Sequence, residues 1–166
     1  MAIKGIGLEY DVTMDAGASV KTSTSEFLCV GAGPTTTSGD WTAYITNDST
    51  TAGSMNAHHV IGINQTRAMS ANSAECSVRM FGISKAICAC SVPAFSFIAA
   101  YRGASTTTRR GQIEPVGFAQ TLTANITSTN FTILGRALQD GSTNSVISVF
   151  VNPTPYPFIN VTLAAT

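Results

Sequence analysis

The stretch 59–86, HVIGINQTRAMSANSAECSVRMFGISKA, decides how this chain folds. β-Branched and aliphatic residues cluster at Val60-Ile61-Gly62-Ile63, and Cys76-Ser77-Val78-Arg79-Met80-Phe81 begins by alternating side-chain character. Two strands are therefore expected, joined by the Ser-, Asn- and Ala-rich loop 66–74. The same design returns as Thr132-Ile133-Leu134-Gly135-Arg136-Ala137-Leu138, a polar turn at 139–144, and Val146-Ile147-Ser148-Val149-Phe150-Val151. One β-unit is used twice. In both copies a glycine follows two aliphatics, Val60-Ile61-Gly62 and Ile133-Leu134-Gly135. A glycine inside a strand forfeits packing and backbone entropy, so its recurrence predicts a bulge or a second backbone passing close by.

The pair VIGINQ…ECSVRMFGISKA and ILGRALQDGSTNSVISVFVNP resembles the paired strands of the small head-decoration, or capsid-cement, proteins of tailed bacteriophages, over roughly residues 57–153. The shared pattern is an aliphatic-aliphatic-Gly strand, a small-residue loop and a valine-rich strand, with a second unit ending in aliphatic-Asn-Pro. The resemblance implies a virion structural protein, made in the host cytoplasm and bound to the outer surface of the capsid. There it would stabilise contacts between major capsid proteins. The implied partners are the major capsid protein and further copies of the chain, as a homotrimer, and terminal arms would take part in subunit or shell contacts.

Composition points the same way by a separate route. The 166 residues suffice for one domain with a sizeable core. Hydrophobic residues make up 44%, and mean hydropathy is +0.21. Only 11% are charged, against about 25% in typical globular proteins. Nine basic and nine acidic residues leave no net charge, so the surface lacks the self-repulsion that keeps monomers apart. Such a surface is expected to be covered in an assembly; a weakly charged, Ser/Thr-rich secreted β-domain is the alternative. A neutral chain carries no electrostatic footprint for nucleic acid, and Arg109-Arg110 is far short of a basic stripe. No apolar run approaches the roughly 20 residues needed to span a bilayer, and the N-terminus does not read as a signal peptide. The cysteines 29, 76, 88 and 90 are irregularly spaced, and free buried thiols are expected.

The reading along the chain is all-β: a compact β-sandwich or barrel-like domain of about nine to eleven short strands. Helical periodicity is not sustained anywhere. Residues 1–19 read as an N-terminal arm, with Ile6, Leu8 and Tyr10 alternating as a strand and periodicity lost from Asp11. Residues 20–153 form the β-domain. Within it Glu26-Phe27-Leu28-Cys29-Val30 reads as a strand ended by Gly31-Ala32-Gly33-Pro34, and Trp41 to Thr46 as an aromatic strand. Residues 83–90 continue the second strand of the first unit. Residues 154–166 form a Pro-rich tail, because Asn152-Pro153-Thr154-Pro155-Tyr156-Pro157 should stop the last strand.

Chemistry is sparse. His58 and His59 are adjacent and would point to opposite faces of a strand, a poor start for a metal site. No nucleophile elbow, phosphate loop or dinucleotide fingerprint occurs. The expectation is a non-enzyme with no cofactor, no metal and no small-molecule substrate. Asn-x-Ser/Thr triplets are what a Ser/Thr-rich chain produces by chance. What remains is an association surface. Its candidate residues are Ile3, Ile6, Leu8 and Tyr10 in the arm, Trp41, Tyr44 and Tyr101 beside loops, Arg109, and Tyr156 and Phe158 in the tail. The competing reading is a glycan-binding or adhesive β-sandwich of a fibre or pilus, which would hold sugars on the same aromatics.

Overall fold

The computed structural model describes residues 9–17, 20, 26–34, 41–47, 55–56, 60–67, 75–101, 109–116 and 131–156. Among them are ten strands and no α-helix: β1 (Tyr10–Ala16), β2 (Cys29–Pro34), β3 (Trp41–Asn47), β4 (Met55–Asn56), β5 (Val60–Asn64), β6 (Glu75–Ile87), β7 (Phe97–Ala100), β8 (Ile113–Pro115), β9 (Phe131–Ala137) and β10 (Val146–Tyr156). The protein is all-β. The two units predicted from sequence are β5–β6 and β9–β10, each an antiparallel pair.

The long strand β6 belongs to two hydrogen-bonded rings. Its first half pairs with β5 on one side and β1 on the other, from Tyr10↔Phe81 to Asp15↔Glu75. Because β1 also pairs in parallel with β3, the order β1-β3-β2-β5-β6 closes on itself. The second half of β6 pairs with β10, from Val151↔Gly82 to Val146↔Ile87, and the sheet continues through β9 and β7 to β8. There Ile113 bridges back to Cys88 just past the end of β6, and the Ala89 N–H donates to the Ile113 carbonyl at 2.8 Å. One sheet thus folds on itself twice. Closure leaves few free edges, the usual liability of a small β-domain. Of the two architectures open to the sequence, it is the barrel-like one.

Each ring encloses apolar side chains. Ala16, Val20, Val30, Ala43, Ile45, Cys76 and Val78 fill the first. The larger cluster runs from Cys29, Val60 and Ile63 into the second ring through Ala86, Ile98, Ile113, Leu134, Ile147, Val149 and Val151. Gly111 joins the two: at φ 69° it receives a hydrogen bond from the Cys29 N–H and donates to the Thr46 carbonyl at 3.0 Å.

The recurring glycines do what their repetition predicts. A Cβ at Gly62 would run into the Arg79 carbonyl oxygen of β6, and one at Gly135 into the Phe150 carbonyl oxygen of β10. Both lie next to register shifts, at Val30/Gly31 opposite β5 and at Val151/Thr154 opposite β9.

Three expectations need correction. First, strand periodicity does not end at Asp11: β1 runs from Tyr10 to Ala16, and a bulge between Tyr10 and Asp11 resets its alternation. Second, β2 runs through Gly31-Ala32-Gly33-Pro34 instead of ending there, paired with β3 as far as Pro34↔Trp41. Third, β10 passes Pro153 and Pro155 to Tyr156. Pairing to β6 ends at Val151, so the continuation pairs with β9 alone, and the register shift takes up Pro153. The rest of the expected tail, residues 157–166, lies outside the described residues.

Gly135 sits at φ 153° against backbone, a position no side chain tolerates without moving β10. Gly135→Ala is expected to cost about 3 kcal/mol through strain and overpacking, seen as a lower urea midpoint with an unchanged denaturant slope. An unchanged midpoint would show that the β9–β10 ladder relaxes freely.

Candidate functional site

Along β6 the side chains alternate. Cys76, Val78, Gly82, Ser84 and Ala86 are buried, while Glu75, Phe81, Ile83 and Lys85 face out. In the second half the usual pattern is inverted: small residues are inside and large apolar ones outside. The inward positions must be small because Ile147, Val149 and Val151 of the adjoining β10 already occupy the interior. The outward apolar residues have no such competition. Phe81 is 36% exposed and Ile83 55%.

Neighbouring strands extend this face. The bulge between Tyr10 and Asp11 leaves both exposed, so Tyr10, 60% exposed, lies beside Phe81 while Asp11 lies beside Arg79. On the other half, Phe150 stands opposite Ile83 and meets the Phe81 ring edge-on, centroids 5.3 Å apart, and Val146 stands opposite Ile87 at 47% exposure. Farther across, the Arg136 guanidinium lies 4.2 Å from the centroid of the Phe97 ring. Tyr10, Phe81, Ile83 and Phe150 therefore form an apolar stripe on the sheet, more than scattered surface hydrophobes, and Val146 lies beyond it, on the far side of the Lys85–Ser148 pair.

The stripe has charged ends of opposite sign. At one end the Arg79 guanidinium pairs with both Asp11 oxygens and with Glu9 at 3.1 Å, and also donates to the Ile83 carbonyl. The hydrogen bond to Asp11, with the Asp11 and Glu9 charges, raises the Arg79 pKa against the opposing effect of partial burial. Two carboxylates thus face one cation, and Asp15 and Glu75 continue the acidic side as an exposed cross-strand pair. At the other end stands Lys85, whose ammonium donates to Ser148 Oγ at 2.8 Å.

Ten residues were expected at an interface; among those whose side chains the structure describes, Tyr10 alone belongs to this stripe. Tyr101 and Arg109 come together elsewhere, the guanidinium 5.7 Å from the ring centroid. Tyr44 is half-buried over Gly17, where a Cβ would come within 2.5 Å of its ring. Trp41 opens β3 and Tyr156 ends β10, which places their backbones in the sheet. Ile3, Ile6, Leu8 and Phe158 lie outside the described residues, as does the His58-His59 pair. Phe81, Ile83, Lys85, Val146 and Phe150 were missed, although a signal was present: in the order Phe81-Gly82-Ile83-Ser84-Lys85-Ala86 every second residue is small.

Among the described residues no group of three or more His, Cys, Asp or Glu is arranged to hold a metal ion, and no helix is long and apolar enough to cross a membrane. All four cysteines are free, as expected. Burial pushes the Cys29 thiol up to about 12 and the Cys76 thiol, which also faces the Asp15 charge, up to about 11. Cys88 and Cys90 are raised too, chiefly by burial.

No protein-family model matches the chain, and no curated protein matches it. Among solved structures, the N base of the head fibre gp8.5 of bacteriophage phi29 is similar over 91% of this chain and 100% of that one. The identity is 8% and the TM-score 0.44, too loose a likeness to bear on function.

The thiol shifts predict a pH dependence. Native Cys29 and Cys76 hold their protons more tightly than unfolded thiols of pKa 9.0. Their contribution is complete below pH 9 and is lost as pH rises toward 11 and 12. The urea midpoint should fall between pH 9 and 11, and the two thiols should resist alkylation at pH 8 until the chain is unfolded.

Proposed function

We propose that this chain is a phage virion structural protein, a decoration or cement subunit that binds the outside of the assembled head and reinforces contacts between major capsid proteins. One observation carries the assembly part of this reading: a sheet face with an exposed apolar stripe, on a chain only 11% of whose residues are charged. A surface of this kind is stabilised by being covered. The head as the place of assembly is supported by the resemblance of the β5–β6 and β9–β10 units to head-decoration proteins.

On this reading the protein works by binding and needs no reaction. A subunit that binds the closed shell, but not its separated parts, stabilises the shell by mass action. At about 100 times its Kd this amounts to about 2.7 kcal/mol per site.

The test is co-sedimentation of the purified chain with heads of its source phage from which decoration has been removed. Saturable pelleting is expected, together with a higher temperature of head disruption. Deletion of residues 1–8 or 157–166 should weaken pelleting and leave the circular dichroism of the β-core unchanged. Absence of pelleting by the full chain would overturn the proposal, and reproducible sugar binding on a glycan array would favour an adhesive module instead.

A further inference from the structure

The stripe on β6 has an unusual symmetry. Counting outward from Gly82, Phe81 and Ile83 are the first side chains on either side, both apolar and both exposed. Three positions out, Arg79 with Glu9 and Asp11 makes a cluster of one cation and two carboxylates, and on the other side stands the cation Lys85. The face is apolar at its middle, acidic at one end and basic at the other.

We propose that this face binds a second copy of the same chain, face to face, about a twofold axis crossing β6 at Gly82. This rests on the reading of the protein as an assembly subunit and names the partner of that surface. The axis reverses the strand direction between the copies. Phe81 of one copy then meets Ile83 of the other, and Lys85 of each meets the Glu9–Asp11 carboxylates of the other. The charges choose this axis. An axis running along β6 would set Lys85 against Lys85 and carboxylates against carboxylates, which disfavours that docking. The contact is isologous: one patch satisfies itself twice, and the assembly closes at two copies through this face. It differs from the threefold arrangement that the family resemblance implies.

Light scattering after size exclusion, over a range of micromolar concentrations, is the first measurement. A mass of twice 17.3 kDa is expected; a single-chain mass at every concentration, or a three-chain mass, would overturn the proposal. Lys85→Glu sets like charges against each other and should weaken pairing about tenfold or more. Adding Glu9→Lys to that variant should restore it. Both positions are exposed, so the variants should keep the native circular dichroism, and Ile83→Glu offers a second disruption at the centre of the face. Pairing indifferent to Lys85→Glu, or not restored in the double variant, would remove this geometry. Head binding by a chain that stays single overturns the pairing and leaves the proposed function standing. Pairing without head binding does the reverse.

Discussion

The structure depends on one strand making hydrogen bonds for two rings. β6 is long enough for its first half to sit between β5 and β1 and its second half beside β10, so its backbone ties together ladders otherwise remote in sequence. The constraint is geometric. A strand shared in this way cannot slip by one residue without reversing the faces of both rings together. The bulges at Tyr10/Asp11, Val30/Gly31 and Val151/Thr154 all lie in pairings near this shared strand, and they supply the bends that let the sheet close twice.

The same strand explains why the surface is apolar. Inside the second ring Ile147, Val149 and Val151 of β10 take most of the space beside β6, leaving its inward positions to Gly82, Ser84 and Ala86. Large side chains on β6 therefore face outward. Phe81 and Ile83 belong to a tightly filled barrel and still end up on its exterior, where Tyr10, Phe150 and Val146 join them. An association surface follows from how the interior is packed.

Electrostatics refines that surface. Arg79 is largely covered, its side chain only 12% exposed, and it is held by two carboxylates and the Ile83 carbonyl. It thereby stitches the start of β1 to the point where β6 changes partners. The cluster keeps an excess of negative charge at one end of the stripe, and Lys85 supplies the opposite sign at the other. In a chain with nine charges of each sign and no net charge, such local separation has more influence on docking than the total.

The sequence by itself determined the all-β class, the two strand-Gly-strand units, the glycines pressed against neighbouring backbone and the free thiols. Each follows from local side-chain periodicity or from the absence of a Cβ at one position. Only the tertiary structure decided that β6 is shared, that β1 is a full member of a ring, that β2 runs through its glycines and that β10 survives its prolines. These depend on which neighbour takes up each backbone N–H and C=O: Pro155 is tolerated because β6 no longer flanks β10 there, a relation between strands far apart in the chain. The outward face was hidden for the same reason. An alternating strand shows that two faces exist, but which one turns to solvent is settled by the volume that β10 places on the other side.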